Sequence, residues 1–278
     1  MAMYLGSKKV AVTNTIEKQV PSMKAFFEAG GKCAYSEATS FDGIIKYDDM
    51  ANVTRMNYMF YYCHKLTTIP QLDTSKITIM DSMLRSCSEL TTIPQLDTSN
   101  VTSMVSMFYD CNNLTTIPRL DTSNVTSMNY MFYNCYELTT IPLLDTSNVT
   151  SMISMFYYCS RLTTVPQFDT SNVTRMDSMF YNCSRLTTVP LFDTSNVTSM
   201  GYMFYNCKQL KEIHMININA NLDISSSTKF TREALLEIIG NLKAQTSGTK
   251  TLKMGSTNLA KLTDEDKAIA TNKGWTLA

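Results

Sequence analysis

Cysteine, histidine and aspartate are the residues of this chain that could carry chemistry, and most of them recur at a fixed interval. Seven of the eight cysteines lie 24 residues apart, at Cys63, Cys87, Cys111, Cys135, Cys159, Cys183 and Cys207. No C-x-x-C pair occurs and the only histidines are His64 and His214, so a zinc site is not indicated. Because each cysteine would lie beside its own copy in the next repeat, the spacing predicts a column of buried free thiols rather than disulfide bridges.

The sequence offers no arrangement typical of an enzyme. His64 and His214 lie at opposite ends of the repeats, and there is no glycine-rich phosphate loop. No Ser/His/Asp set and no pair of carboxylates stands out from the repeat background. We therefore predict a non-catalytic protein with no cofactor and no metal site.

A fixed period of 24 residues predicts a solenoid, in which one small unit stacks on copies of itself around a continuous core. We call each copy a rung. Within the first rung, the apolar positions of Met56–Cys63 fall at i, i+3, i+4 and i+7, the pattern of a short helix. The L-x-x-L-x-x-L spacing of Leu66–Leu72 is typical of the strand of a leucine-rich-type coil. The predicted fold class is thus an α/β repeat, a leucine-rich-repeat-like solenoid of short parallel strands and short helices with a cap at each end.

Each rung contains a predicted tight turn with the sequence Asp-Thr-Ser-Asn or a close variant. Asp and Asn side chains bond their own local backbone and so favour such turns. Stacking would place the aspartates in one column, which predicts a structural turn ladder at Asp73, Asp97, Asp121, Asp145, Asp169 and Asp193. A column of carboxylates that binds cations is the alternative. The glycine-rich nonapeptide of calcium-binding β-rolls is absent.

The repeats divide the chain into three predicted parts. Residues 1–50 form an N-terminal cap with a degenerate first rung, residues 51–215 carry seven rungs, and residues 216–278 form a C-terminal cap of helices and strands. In the last part, we predict helices that begin after Thr231 and Thr263, and strands at Thr251 and Trp275.

Composition argues against several kinds of partner. Lys plus Arg and Asp plus Glu balance at 24 each, which does not favour nucleic acid or anionic membranes. No apolar stretch approaches the roughly 20 residues that span a bilayer. We also see no signal peptide and no wall anchor.

Comparison of the copies with each other separates constant positions from variable ones. We call the set of residues at 24-residue intervals a register and name it by its first member. The registers of Arg55, Asn57, Tyr58, Tyr62, His64, Lys65 and Gln71 vary. They include frequent tyrosines, a residue enriched at recognition surfaces. The candidate binding residues are Arg55, Asn57, Tyr58, Tyr62, Lys65, Tyr130, Tyr136, Tyr158, Arg175 and Tyr202. Unconstrained drift on an exposed face is the alternative. The Tyr61 register is nearly uniform, with Arg85 as the exception, and this predicts packing between rungs.

The repeat Leu138–Cys159, with Asp-Thr-Ser-Asn-Val-Thr, Met-Phe and Cys recurring in phase, resembles the BspA-like leucine-rich-repeat family of bacterial surface proteins. The resemblance covers residues 50–210 and implies a surface protein with a role in adhesion. The flanks, Tyr4–Val12 and Ala268–Leu277, look similar to the ends of phage and prophage structural proteins from gut bacteria.

These observations predict that the protein is a recognition or adhesion protein on a virion or a cell surface. Its expected partner is a protein or glycan on a bacterial or host surface, bound through the variable face. Two alternatives stay open, an architectural virion protein that binds only neighbouring subunits and a secreted adhesin that binds host matrix proteins. Homo-oligomerisation also stays open.

Overall fold

The computed structural model describes residues 53–69 and 71–278, together with the backbone of residues 2–5 and 8–11. The predicted N-terminal cap, residues 1–50, therefore lies outside the described residues apart from two paired strands. In chain order the elements are β1 (Ala2–Leu5), β2 (Lys8–Ala11), β3 (Thr188–Asp193), β4 (Glu212–Ile216), β5 (Leu222–Asp223), α1 (Arg232–Gly240), β6 (Lys250–Lys253), α2 (Gly255–Leu259), α3 (Asp264–Asn272) and β7 (Trp275–Leu277).

The repeats stack as a solenoid, which confirms the predicted fold class. A column of parallel bridges joins equivalent residues of consecutive rungs, from Arg55 through Ile79, Ser103, Ser127, Ser151 and Arg175 to Ser199. The Thr54 register adds a second column, in which the amide of Thr78 donates to the carbonyl of Thr54 at 2.7 Å and the pattern repeats down the stack.

The conformation of Met56–Cys63 differs from the predicted short helix. This segment and its copies form consecutive turns. The residues in the Tyr58 and Tyr62 registers have positive φ, between 52° and 64°, and no right-handed helix can contain such residues. The four apolar positions still point inward, as the spacing predicts, and all are buried.

Hydrogen bonding between rungs explains why the helix does not form. The amides of Tyr58 and Phe60 donate to carbonyls of the next rung, those of Asp81 (3.1 Å) and Met83 (2.8 Å). The amides between them close turns inside the rung, as Tyr61 does on the Tyr58 carbonyl at 3.0 Å. A helix would keep all these amides within the segment, so stacking and helix formation compete for the same donors.

The core is a bundle of columns of identical side chains. The fourteen methionines of the two inward registers are buried, as are the seven cysteines from Cys63 to Cys207 and the Phe60 register with Leu84 as its one leucine. Phe108, Phe132, Phe156, Phe180 and Phe204 stack nearly parallel, with ring centroids 5.4 to 5.8 Å apart. Each copy thus buries its apolar surface against its two neighbours.

Regular strand structure is rarer in the described rungs than the L-x-x-L spacing predicts. Only β3 and β4 pair as a parallel ladder in that part of the repeat, and their register shifts between Val189 and Phe192. Pro190 lies at that shift, and a proline has no amide to donate.

The elements of the C-terminal part begin where the sequence predicts. Thr231 caps α1, and Thr263 caps α3 with a capping box to Asp266. The strands β5, β6 and β7 form a parallel sheet. The helix α2, Gly255–Leu259, was not predicted. Trp275 and Phe230 are buried and close this end of the core.

Candidate binding surface

Twelve of the fifteen tyrosines lie on the turn segments of the rungs, where we define the tyrosine face. Its members are Tyr58, Tyr61, Tyr62, Tyr109, Tyr130, Tyr133, Tyr136, Tyr157, Tyr158, Tyr181, Tyr202 and Tyr205. The Tyr61 register runs along its centre, and the Tyr58 and Tyr62 registers flank it in sequence.

The centre of the face is a stack of tyrosine rings. From Tyr109 to Tyr205 the centroids of successive rings are 4.3, 4.3, 4.5 and 4.7 Å apart and the planes differ by at most 19°. This confirms that the uniform register packs between rungs. Burial raises the pKa of the Tyr133 hydroxyl, so it stays protonated and able to donate at neutral pH.

Arg85 replaces a tyrosine in the central stack without breaking it. Its guanidinium lies 4.1 Å from the ring centroid of Tyr109 and 5.9 Å from that of Tyr61. A planar cation over an aromatic face is a favourable substitute for a third ring.

The flanking tyrosines occupy unfavourable backbone positions. Tyr58, Tyr62, Tyr130, Tyr158 and Tyr202 have φ between 56° and 63°. In other rungs these registers hold serine, asparagine or aspartate, and asparagine and aspartate tolerate positive φ best among residues other than glycine. A tyrosine here costs on the order of 1 kcal/mol of conformational energy.

The structure leaves most of the candidate binding residues exposed. Eight of the ten are exposed, namely Arg55, Tyr58, Tyr62, Lys65, Tyr130, Tyr136, Arg175 and Tyr202. Tyr158 is half-buried, with its ring 5.0 Å from Tyr157 and 5.8 Å from Tyr181. Asn57 is also half-buried.

The Asn57 register serves contacts between rungs. The carboxylate of Asp81 accepts hydrogen bonds from the Ser103 hydroxyl (2.5 Å) and the Val105 amide (2.9 Å) of the next rung. Asn129 accepts the equivalent pair from Ser151 and Ile153. From Asp81 onward, Asp or Asn therefore alternates with Val, Ile or Gly. Variation from Asp81 onward follows from this packing. The side-chain oxygen of Asn57 itself is buried without a hydrogen-bond partner, so we leave Asn57 outside the tyrosine face.

A longer period within the Tyr58 register is visible in the sequence but was not used to predict the site. The register reads Tyr58, Ser82, Ser106, Tyr130, Ser154, Ser178, Tyr202. Tyrosine thus recurs every third rung, and the three side chains are 47%, 36% and 65% exposed. At ~4.8 Å per rung, they lie roughly 14 Å apart along the stack.

Successive rings lie closer together on the tyrosine face than in the core. The ring centroids are 4.3 Å apart between Tyr109 and Tyr133 on the tyrosine face, and 5.4 Å apart between Phe108 and Phe132 in the core. The central tyrosine rings thus form a continuous aromatic surface that crosses the rungs.

The aspartates of the Asp73 register lie at turns elsewhere on the rung and bond their own serines. Asp145 accepts from the Ser147 hydroxyl at 2.6 Å and from its amide at 3.0 Å, and the other rungs repeat this contact. The Ser147 hydroxyl and then its amide hold the pKa of Asp145 below its usual range. The side-chain amide of Asn148 also donates to the carbonyl of Ser123 in the preceding rung, at 2.7 Å. The turn ladder thus fastens neighbouring rungs together.

Beside the turn ladder runs a groove of about 950 Å³, lined by Asp97, Asp121, Asp145, Asp169, Arg119 and Leu143 among others. Within residues 53–69 and 71–278, no group of three or more His, Cys, Asp or Glu side chains is arranged to hold a metal ion.

The cysteine column is a ladder of thiol hydrogen bonds. Each thiol from Cys87 to Cys207 donates to a carbonyl of the preceding rung at 3.0 to 3.1 Å, as Cys135 does to Phe108. These six thiols are free and buried, as predicted. Cys63 is disulfide-bonded, so the prediction was wrong at that position. Burial raises the pKa of the Cys87 and Cys207 thiols to about 12.

The two histidines lie apart and belong to ordinary surface contacts. His64 Nδ1 lies 3.2 Å from the Tyr62 carbonyl, and His214 Nδ1 lies 2.7 Å from Glu237 Oε1.

In the part of the chain that the structure describes, no helix is both long and apolar enough to cross a bilayer.

The stacked rungs define a solenoid of the leucine-rich-repeat class. The family described as "Mycoplasma protein of unknown function, DUF285" matches residues 31–143, 63–164 and 137–234, which together span most of the chain. The chain belongs to this BspA-like repeat family.

Solved leucine-rich-repeat structures are similar to the chain at low sequence identity. A leucine-rich repeat protein of T. pallidum is 14% identical with a TM-score of 0.40, over 76% of this chain and 84% of that one. One from Bacteroides ovatus is 16% identical with a TM-score of 0.39, over 87% of this chain and 82% of that one. The plant peptide hormone receptor RGFR1 in complex with RGF2 is 13% identical with a TM-score of 0.31, over 79% of this chain and 41% of that one. No curated protein matches the chain.

Proposed function

We propose that the chain is a non-catalytic recognition or adhesion protein, exposed on a cell or virion surface, that binds a bacterial or host surface molecule through the tyrosine face. The observation that carries this proposal is the set of exposed tyrosines held at positive φ. Membership of a surface-repeat family supports display on a surface.

The exposed part of these tyrosines is available to a partner outside the chain. Tyr58 and Tyr202 lie at positive φ, where asparagine is more favourable, and about half or more of each residue faces solvent. Each also makes an edge-to-face contact with the central stack, with ring centroids 5.6 Å apart for Tyr58 and Tyr61 and 6.3 Å apart for Tyr202 and Tyr205. Residues held in sparsely populated backbone conformations cluster at functional positions. Tyrosine also offers rigid contact area with few rotatable bonds.

The exposed aromatic area is spread along the stack. The six most exposed tyrosines, Tyr58, Tyr62, Tyr130, Tyr136, Tyr202 and Tyr205, are between 36% and 65% exposed. At ~200 Å² per full side chain, they present roughly 550 Å² in total, divided among rungs one, four and seven. This distribution suits an extended ligand that contacts several rungs.

A non-catalytic function agrees with the chemistry of the described residues. The cysteine thiols are buried and protonated, the histidines lie apart, and the aspartates are engaged in turns. Families of leucine-rich repeat proteins are generally non-enzymatic.

The experiment is binding of the purified, fluorescently labelled protein to whole bacteria and, in parallel, to a panel of host matrix proteins. The test variant carries Tyr58→Ser, Tyr130→Ser and Tyr202→Ser, each of which introduces the residue that four other rungs hold in that register. The matched control carries Leu143→Gln and Leu191→Gln, the residue of three other rungs in the Gln71 register.

Saturable binding that the tyrosine variant loses and the control keeps would support the proposal. The identity of the surface bound would separate a binder of bacteria from an adhesin for host matrix. Absence of binding to every surface would contradict a recognition function and favour an architectural component that contacts only its neighbours.

A further inference from the structure

The three tyrosines of the Tyr58 register divide the tyrosine face into two bays. We define the first bay as the space between Tyr58 and Tyr130 and the second as the space between Tyr130 and Tyr202. Each bay is two rungs wide and carries serines in that register, Ser82 and Ser106 in the first, Ser154 and Ser178 in the second. The serines are small and buried or half-buried, so each bay is open to a flat group that lies between two tyrosine rings.

The bays lie beside a row of regularly spaced phenol groups. Tyr157 and Tyr181 of the second bay stack with centroids 4.5 Å apart, continuous with Tyr133 on one side and Tyr205 on the other. Each hydroxyl can both donate and accept a hydrogen bond. A ligand built of repeating units would make the same contact at rung after rung, which the irregular surface of a globular protein cannot do.

The face carries little charge that is free to attract an ion. In the registers of Tyr58, Tyr61 and Tyr62, the only charged residues from rung one to rung seven are Arg85 and Asp110. Arg85 lies between two tyrosine rings, and Asp110 accepts a hydrogen bond from the side-chain amide of Asn134 at 2.7 Å. The neighbouring registers of His64 and Lys65 carry charges of both signs, and Arg161 pairs there with Glu137 at 2.6 Å. Because neither sign dominates and the two charges within the three tyrosine registers are engaged, the face suits an uncharged ligand.

Addition of a peptide strand is not available to this surface. The amides of the Tyr58 and Tyr62 registers donate to the next rung, as those of Tyr130 and Asn134 do to Ile153 and Tyr157. Strand addition needs free backbone donors and acceptors at an edge. Recognition must therefore use tyrosine rings and hydroxyls.

From the periodicity, the absence of a dominant charge sign and the engaged backbone, we infer that the ligand of the tyrosine face is a linear, uncharged polysaccharide that lies along the stack and places sugar rings in both bays. The inference rests on the proposed function and names the ligand class of the same surface. Tyrosine rings contact the apolar faces of the sugars, and the phenol hydroxyls exchange hydrogen bonds with sugar hydroxyls.

The test is calorimetric titration of the full chain with four neutral polysaccharides, laminarin, xylan, mannan and dextran, and with the anionic polymer hyaluronan. Size-fractionated oligosaccharides of the best neutral polymer follow. We expect affinity to rise with oligosaccharide length until both bays are spanned and then to level off. We also expect it to be unchanged between about 50 and about 500 mM NaCl, since screening acts on charges.

Two variants test the bays from opposite directions. Tyr130→Ser removes the shared wall of both bays and introduces the residue of four other rungs, and it should weaken binding about tenfold, the equivalent of about 1.4 kcal/mol. Ser154→Tyr keeps every tyrosine but places a ring inside the second bay, and it should shorten the oligosaccharide length at which affinity levels off. Leu143→Gln lies away from the face and should change neither the affinity nor the oligosaccharide length at which it levels off. Circular dichroism checks the fold of each variant.

The outcomes separate this inference from the proposed function. Tyrosine-dependent binding to cells without affinity for any neutral polysaccharide would overturn the inference and leave the recognition function standing. A preference for hyaluronan, or affinity that falls steeply with salt, would also overturn it in favour of an anionic ligand. Absence of binding to cells, matrix and polysaccharides alike would overturn both.

Discussion

Removal of one ring from the phenylalanine column should destabilise the whole solenoid strongly. Phe156 is fully buried, and its ring centroid lies 5.6 Å from Phe132, 5.6 Å from Phe180 and 6.1 Å from Phe168. Truncation of a buried phenylalanine to alanine costs about 3–5 kcal/mol. Each aromatic pair adds about 0.5–1.5 kcal/mol beyond the buried area. Alanine cannot pack against any of these three rings. We therefore expect Phe156→Ala to lower the free energy of unfolding by about 5 kcal/mol, near the upper end of this range.

The matched control is Phe156→Leu, because the chain itself holds Leu84 in this register. Leucine keeps most of the volume and gives up only the ring stacking, so we expect a cost of about 1–2 kcal/mol. The free energy of unfolding is measured by urea titration with far-ultraviolet circular dichroism. Equal costs for the two variants, or a cost below about 1 kcal/mol for Phe156→Ala, would refute a tightly packed ring column.

Three further predictions follow from other columns. Arg85→Tyr should stabilise the fold by about 1 kcal/mol because it completes the ring stack between Tyr61 and Tyr109 and removes a buried Nε that has no hydrogen-bond partner; a lower urea midpoint would contradict this. Ser147→Ala should raise the pKa of Asp145, measured by carbon NMR, since the Ser147 hydroxyl is the main cause of its low value. The folded pKa lies below the unfolded one, so this carboxylate stabilises the fold fully above the unfolded pKa and loses that effect as pH falls through the folded pKa. The stabilities of wild type and variant should therefore begin to converge as pH falls below about 4 and should be closest below the folded pKa. The six free thiols from Cys87 to Cys207 should react with a thiol reagent at pH about 8 only after unfolding, because burial raises their pKa values; rapid reaction of the native protein would show that the column opens.

The repeat carries enough information to predict the fold class and the inward side chains. Met56, Met59, Phe60 and Cys63 are buried as their spacing indicates. A side chain that recurs every 24 residues has to stack on its own copy, so the composition of each core column follows from the sequence. The caps of α1 and α3 were also predictable, because Thr231 and Thr263 act within a few residues of their own helices.

The same pattern misled the prediction of local structure in the rungs. The positions i, i+3, i+4 and i+7 indicate a helix when only the segment itself is considered. In the solenoid, the next rung offers the Tyr58 and Phe60 amides carbonyl partners at hydrogen-bonding distance. Those bonds form with positive φ at Tyr58 and Tyr62, a conformation that spacing alone does not reveal.

The candidate surface likewise has features that the sequence predicts and features that only the tertiary structure shows. The sequence by itself determined that tyrosines gather in a few registers and that Tyr58, Tyr130 and Tyr202 recur every third rung. Only the tertiary structure decided that the Tyr61 register forms a continuous ring stack, that the Asn57 register is used between rungs, and that Arg85 continues the ring stack. These features depend on which side chains of successive rungs come within contact distance, and the packing of all columns together sets those distances.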